Sequence, residues 1–223
     1  ALKGVKKAIV HCYVATSDLH GKFVFNKNRD EVKQMAIEGT AMVRDAVEKA
    51  GLMEHVFYEF SPEEFTDSDI DFVLDLCIAV KEAWGTSAKK DFILNLPATV
   101  ERRPPWHYAD MIAYFIQHYP YMNETTISVH SHNDQGCAVA STEMTLLAGA
   151  ERVEGTLFGH GERTGNVDIV TLALNLQSLG IDPKLDFSNL PNMNMNQFTP
   201  VDDIPKKQKV KKKKKKKAEQ EQP

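Results

Sequence analysis

The sequence predicts an α/β chain, part of a TIM-type (β/α)8 barrel about five βα units long, followed by a disordered basic tail. Three observations lead there. An apolar run followed by an amphipathic helical stretch recurs five times. Strands this apolar, alternating with helices, belong to a parallel sheet covered by helices. Each run also ends in polar groups, and (β/α) barrels place their chemistry at the C-terminal strand ends. The first run, Ala8 to Val14, precedes a helix from about Arg29 to Ala50 that Gly51 can stop. His55 to Phe60 is the second, with a helix from about Ser68 to Trp84 and Gly85 behind it. Phe92 to Leu96 is the third; its helix opens near Pro104-Pro105 and reaches about Tyr119. The β-branched run Thr125 to Val129 is the fourth, with a helix from about Gly136 to Ala148. Arg152 to Phe158 is the fifth, and its helix covers about Asn166 to Leu179.

Composition bounds what such a chain can do. An apolar content of 42% over 223 residues can fill a core, whereas a whole (β/α) barrel usually takes about 250 residues. The chain opens Ala-Leu-Lys-Gly-Val, which reads as the approach to a strand, so further barrel units upstream are expected. No apolar run approaches the roughly 20 residues of a membrane span. Cys12, Cys77 and Cys137 are widely spaced and odd in number, which suits reduced thiols in a cytoplasmic protein, or a mitochondrial one in a eukaryote. The net charge of −4 hides two populations: without the ten lysines and two glutamates of residues 206–223, 17 basic residues face 29 acidic ones. Lys211 to Lys217 is a like-charge run that cannot fold on itself. No aromatics interleave with these lysines and the body is acidic, so no specific nucleic-acid partner is expected. The expected organisation is a partial barrel over residues 1–192 and a linker with a Lys-rich tail over residues 193–223.

The candidate chemistry sits at the strand ends. Side chains alternate along a strand, so His130 and His132 project together, about 7 Å of chain apart at roughly 3.3 Å per residue. Two neutral imidazoles on one face can hold one divalent metal, although an isolated His-x-His also serves as an ordinary polar strand end. A second polar cluster strengthens the metal reading: Gly159-His160-Gly161-Glu162-Arg163-Thr164-Gly165-Asn166. The other runs end in His11, Tyr13, Thr16 and Ser17; in Glu59, Ser61 and Glu63; and in Asn95, Pro97 and Thr99. Five polar ends in succession exceed what capping requires.

These residues carry a resemblance. The chain resembles the 2-isopropylmalate synthases, in the longer form of fungi and many bacteria. The segments are Ile9 to Tyr13 with Thr16-Ser17, Tyr58 to Glu63, Asn95 to Glu101, Ser128 to Gly136, Val153 to Asn166, and Leu185 to Asn189, covering about residues 5–192 in order. The His-x-His-Asn-Asp and Gly-Glu-Arg-x-Gly-Asn elements are shared with homocitrate and citramalate synthases, which stay as alternatives. The resemblance implies a condensation of acetyl-CoA with 2-oxoisovalerate and hydrolysis of the thioester, giving 2-isopropylmalate and CoA in leucine biosynthesis, by an enzyme that is a homodimer. It implies a divalent metal (Mg²⁺, Mn²⁺ or Zn²⁺) on His130, His132 and Asn166, acting as Lewis acid. It implies catalytic roles for Glu59 and His11, oxo-acid contacts from Tyr13, Asn95, Pro97 and Thr99, and ligand-orienting roles for Glu162 and Arg163.

The chain also departs from that pattern. The family's first strand carries an Arg-Asp pair that binds substrate and metal; here Arg29-Asp30 and Arg44-Asp45 fall in or beside the first helix instead. By family order the first strand here is the barrel's fourth, so three strands and one metal ligand are expected elsewhere. His160 stands where the family commonly has Asn, either as an inert exchange on an exposed loop or as an extra imidazole near the metal. The expectation is an inactive piece of a synthase, with a non-catalytic remnant as the alternative.

Overall fold

The computed structural model of the protein describes residue 2 and residues 4–85 and 90–186. Contacts divide the chain between Pro183 and Lys184, and every element below lies in the first unit. The Lys-rich run and the end of the Leu185 to Asn189 motif lie outside the described residues.

Five strands form the sheet: β1 (Ala8–Ala15), β2 (Val56–Glu63), β3 (Phe92–Ala98), β4 (Thr125–Ser131) and β5 (Arg152–Glu154). All neighbours pair in parallel, in the order β1-β2-β3-β4-β5. Parallel strands in sequential order need right-handed crossovers that lay every helix on one side. The fold is therefore the expected partial barrel.

The crossover helices are α2 (Arg29–Lys49), α3 (Ile70–Trp84), α4 (Pro105–His118) and α5 (Ala138–Leu147), and α6 (Ile169–Ser178) follows β5. Their starts are written locally. Asn28 and Glu31 form a reciprocal capping box on α2. The Asp69 carboxylate accepts from the Asp71 and Phe72 amides on α3, and Pro105 opens α4 where no N–H is needed.

Alternation assigns the two faces of the sheet. Tyr58, Phe60, Phe92, Leu94, Leu96, Ile127 and Val129 point one way and are almost wholly buried. They pack under the helices in one core with Val73, Leu76, Ile112 and Phe115. The other face carries His11, Glu59, Ser61, Asn95, Ser128, His130, Arg152 and Glu154. Among the described residues β1 has a neighbour on one side only, and Tyr13 is 70% exposed.

Boundaries depart from expectation where tertiary packing overrides pattern. The fifth strand stops at Glu154 rather than Phe158, and a 3-10 turn, Leu157–Gly159, follows it. The reason lies at Gly155: a Cβ there would stand 2.5 Å from Val167 Cγ1, so the chain turns under the returning segment. The last helix begins at Ile169, not Asn166, because Asn166 bridges His132 and Asp168 serves as N-cap. β2 continues to Glu63 through Pro62, since its pairing with β3 ends at Phe60 and no N–H is demanded there. A short helix α1 (Asp18–His20) and a π turn (Gly21–Phe25) after β1 had no periodic signal in the sequence. No helix among the described residues is long and apolar enough to cross a membrane.

Candidate active site on the inner face

His130 and His132 leave the end of β4 on the inner face, as alternation requires. Their Nε2 atoms lie 3.0 Å apart with the rings edge to face. Asn166 arrives from the loop after β5 through an antiparallel bridge to His132, and its amide nitrogen lies 3.1 Å from His130 Nε2. Two bonds of about 2.1 Å set at right angles end about 3.0 Å apart, so the two imidazole nitrogens fit neighbouring positions around one ion. The Asn166 amide turns its NH2 to His130, and it would join them as a ligand through Oδ1 once that amide rotates.

The remaining ring nitrogens are also held. His130 Nδ1 donates to the Glu154 carbonyl at 3.1 Å, which puts the neutral ring's lone pair on Nε2, facing His132 and Asn166. Burial, helped by the neighbouring His130 and Arg163, lowers the His132 pKa and favours the neutral ring that a metal needs. Arg163 Nη2 donates to His132 Nδ1 at 2.5 Å, which leaves the proton of that neutral ring on Nε2. Ligation through Nε2 therefore asks Arg163 to give up this contact. It has others to keep: the Thr99 carbonyl at 2.7 Å and Asp134 at 2.7 and 3.0 Å. The Arg163 hydrogen bond holds the Asp134 carboxyl down at about 2.

The glycines of the Asn166 loop are steric necessities. A Cβ on Gly161 would fall 1.6 Å from Asn166 Oδ1, and one on Gly165 would fall 2.1 Å from the Gly159 carbonyl. Gly165 also has φ +107, a conformation side-chain-bearing residues avoid. The loop thus closes on Asn166 as a clamp.

A second polar group lies on the same face. His11 Nε2 is 2.7 Å from Ser61 Oγ, and Asn95 Nδ2 donates to that hydroxyl at 3.1 Å. Arg152 Nη1 reaches Glu59 at 3.2 Å, Ser128 at 2.9 Å and Glu154 at 2.5 Å. Burial pushes the Glu59 carboxyl up to about 8, with the hydrogen bond and charge of Glu154 adding to it and Arg152 opposing. Glu154 goes the other way: burial alone would raise it, but its hydrogen bonds with Glu59 and Arg152 bring it down. The two carboxyls therefore share one proton, held by Glu59. Burial lowers the His11 pKa, so that ring is neutral at pH 7. One ligand atom each of His11, Glu59 and Glu154 lies within 4.8 Å of the others, a spacing that could hold a metal. Arg152 already supplies the cation there, so the histidine pair is the better metal site.

The predicted residues divide accordingly. His130, His132 and Asn166 converge, and His11, Glu59 and Asn95 form the second group. Pro97 stands opposite His130 in the β3–β4 register. Thr99 Oγ1 accepts from the Glu64 amide at 2.8 Å, tying the β3 loop to the end of β2. Tyr13 stands away in solvent, with its ring edge-on to His11 at 6.3 Å. Glu162 is an exposed rim residue 3.4 Å from Arg163, and His160 is exposed.

Sequence reasoning passed over several positions that shape this face. Arg152 and Glu154 lie two apart on a strand, so the alternation that found the histidines could have found them. Glu101, whose carboxylate accepts the Gln135 amide at 2.5 Å, fixes the loop after β4, and no local pattern marks it. Glu64 takes hydrogen bonds from Ser17 and His20 and sits at φ 61. A glutamate in the left-handed region is rare, and only the coordinates reveal it.

Comparison with known proteins places this arrangement. The HMGL-like family model matches residues 1–196. The chain belongs to the HMGL-like family. It is 50% identical over 191 residues to a 2-isopropylmalate synthase of Clostridium acetobutylicum, covering 85% of this chain and 34% of that protein. It is 49% identical over 195 residues to one of Saccharomyces cerevisiae, covering 86% of this chain and 32% of that protein. The chain thus spans about a third of the length of the curated relatives it matches. Among solved structures it is similar to an HMG-CoA lyase of Acinetobacter baumannii in complex with coenzyme A and 3-methylmalate. That match has a TM-score of 0.60 at 14% identity, covers 81% of this chain and 57% of the lyase, and concerns the fold. The HMGL-like assignment agrees with the partial barrel read from the strand order.

Proposed function

We propose that this chain carries the metal and oxo-acid pocket of a synthase that condenses acetyl-CoA with 2-oxoisovalerate and lets water hydrolyse the thioester, giving 2-isopropylmalate and CoA. The observation that carries the reading is the convergence of His130, His132 and Asn166 beside the His11–Glu59 group on one concave face. Its support from outside the structure is the identity to named 2-isopropylmalate synthases.

A divalent metal held by His130, His132 and Asn166 would supply Lewis-acid polarisation of a 2-oxo group. The chain's own groups have complementary proton states. Neutral His11, with Ser61 on its Nε2, is placed to take a proton from the acetyl methyl; Glu59, which keeps its proton at neutral pH, is placed to give one to the keto oxygen. Pairs whose surroundings push their pKa values apart are natural acid and base partners. Asn95, Pro97 and Thr99 shape the oxo-acid pocket, and Arg163 holds the Thr99 carbonyl and Asp134 in place beside it. Tyr13 joins the pocket only when something packs along the β1 edge. That edge is open among the described residues, and water reaches the reacting groups there. The 223 residues alone therefore do not turn over.

The test is CoA release from acetyl-CoA with 2-oxoisovalerate, 2-oxoglutarate or pyruvate, by this chain and by a longer form matching its relatives. The expected result is turnover of 2-oxoisovalerate by the longer form only. One methylene in an apolar pocket is worth about 1–3 kcal/mol, so the other oxo acids are the sharp controls. Preference for 2-oxoglutarate or pyruvate would replace the substrate, and turnover by the 223 residues would refute their inactivity.

A further inference from the structure

We infer that Arg163 is a latch on the metal site, a positioning residue that holds His132 in the tautomer unable to ligate, so that an ion enters only as the guanidinium lets go. The inference rests on the metal reading proposed above and deepens it. It follows from which atoms can donate. An arginine N–H only donates, so His132 Nδ1, 2.5 Å from Arg163 Nη2, is an acceptor. An imidazole that accepts on Nδ1 is neutral and carries its one proton on Nε2. That N–H faces His130 Nε2 at 3.0 Å, and the His130 proton sits on Nδ1, 3.1 Å from the Glu154 carbonyl. The result is one directional chain of hydrogen bonds, from Arg163 through His132 and His130 to the Glu154 carbonyl.

This chain closes the site on itself. Asn166 also turns an N–H to His130 Nε2, at 3.1 Å, so His132 and Asn166 both present protons where an ion would sit. The one lone pair there, on His130 Nε2, is covered by both donors. Ligation needs two changes. The Asn166 amide must rotate, and water must carry the His132 proton from Nε2 to Nδ1, with no change in the ring's charge. Only the second change is blocked by a donor, because the new Nδ1–H would face an Arg163 N–H.

The guanidinium can release the ring at little cost to itself. Nη2 has two N–H groups but three acceptors: His132 Nδ1, the Thr99 carbonyl at 2.7 Å and Asp134 Oδ2 at 3.0 Å. Dropping the imidazole leaves both protons on oxygen, while Nε keeps Asp134 Oδ1 at 2.7 Å. The backbone adds a second observation. Arg163 sits at φ 55, a left-handed conformation that costs a residue with a side chain, although Gly161 and Gly165 lie two positions to either side. The strain falls on the residue that carries the latch.

The test reads ring tautomers by long-range ¹H–¹⁵N correlation on the full 223-residue chain with ¹⁵N-labelled histidine. His130→Ala and His132→Ala assign the signals, and Zn²⁺ is the diamagnetic probe. With EDTA, His132 is expected as the Nε2–H tautomer and His130 as the Nδ1–H tautomer. Zn²⁺ is expected to move the His132 proton to Nδ1 and to leave the His130 proton in place. In calorimetry, Arg163→Gln is expected to bind Zn²⁺ about tenfold more tightly than the wild type, the worth of one hydrogen bond to a charged group. A residue that merely supported the loop would weaken binding when replaced. A His132 proton already on Nδ1 in EDTA overturns the latch, whether or not Arg163→Gln folds. Equal or weaker Zn²⁺ binding by a folded Arg163→Gln overturns the latch alone. Zn²⁺ binding by neither chain removes the metal reading and the latch with it.

Discussion

The two faces of the same five strands differ in almost every physical respect. The face under the helices is apolar, and its strand side chains are nearly all excluded from water. The inner face, one residue away at every step, carries two imidazoles with facing nitrogens, two carboxyls sharing a proton and the Arg152 guanidinium beside them. Alternation alone separates them, so stability and chemistry are written on interleaved positions of one segment. Substitutions at neighbouring residues should therefore have effects of different kinds.

The largest expected effect lies on the helix side. Leu94→Ala removes a fully buried side chain from the centre of the core and should cost about 2–5 kcal/mol in urea unfolding. Its neighbour Asn95 should matter far less to stability and more to ligand binding, so equal destabilisation by Asn95→Ala would break the contrast. The next effect belongs to the inner-face loop. Gly161→Ala places a Cβ against Asn166 Oδ1 and should lower Mn²⁺ affinity about 10- to 100-fold. Gly161 is exposed, so melting should hardly change. A large fall in melting temperature would make the loop a part of the core.

A pH experiment sharpens the comparison. Glu59 has its pKa raised from 4.5 to about 8 in the folded protein. The native state then holds a proton that the unfolded chain has lost. The stability from this group is complete below pH 4.5 and drains away as pH rises to about 8. Glu59→Gln, which cannot titrate, should flatten that slope, as read by urea midpoints across the range. An unchanged slope would place the shared proton elsewhere. The smallest expected effect is on the periphery: Asn28→Ala removes the capping box of α2 and should cost about 1 kcal/mol without touching ligand binding.

Much of this was legible in the sequence because periodicity is a local signal. The five βα units follow from apolar runs and helix caps, and His130, His132 and Asn166 follow from alternation and from motif. What stayed hidden depends on contacts distant in sequence. The fifth strand ends early because Val167 returns over Gly155, 12 residues on, and no property of Gly155 itself announces that. Arg152 meets Glu59 across 93 residues of chain, a pairing that neither segment announces. The short helix after β1 and the left-handed Glu64 are set by the Ser17–His20–Glu64 cluster, which forms only once β1 and β2 pair.

The most direct test of the central claim, that the inner face is a metal-binding chemical surface, is calorimetric titration of this chain with Mn²⁺ beside the double variant His130→Ala/His132→Ala. The account predicts weak binding of one ion by the wild type, since three side chains hold it. It predicts loss of that binding in the variant at an unchanged melting temperature. Binding that survives in the folded variant would contradict the account.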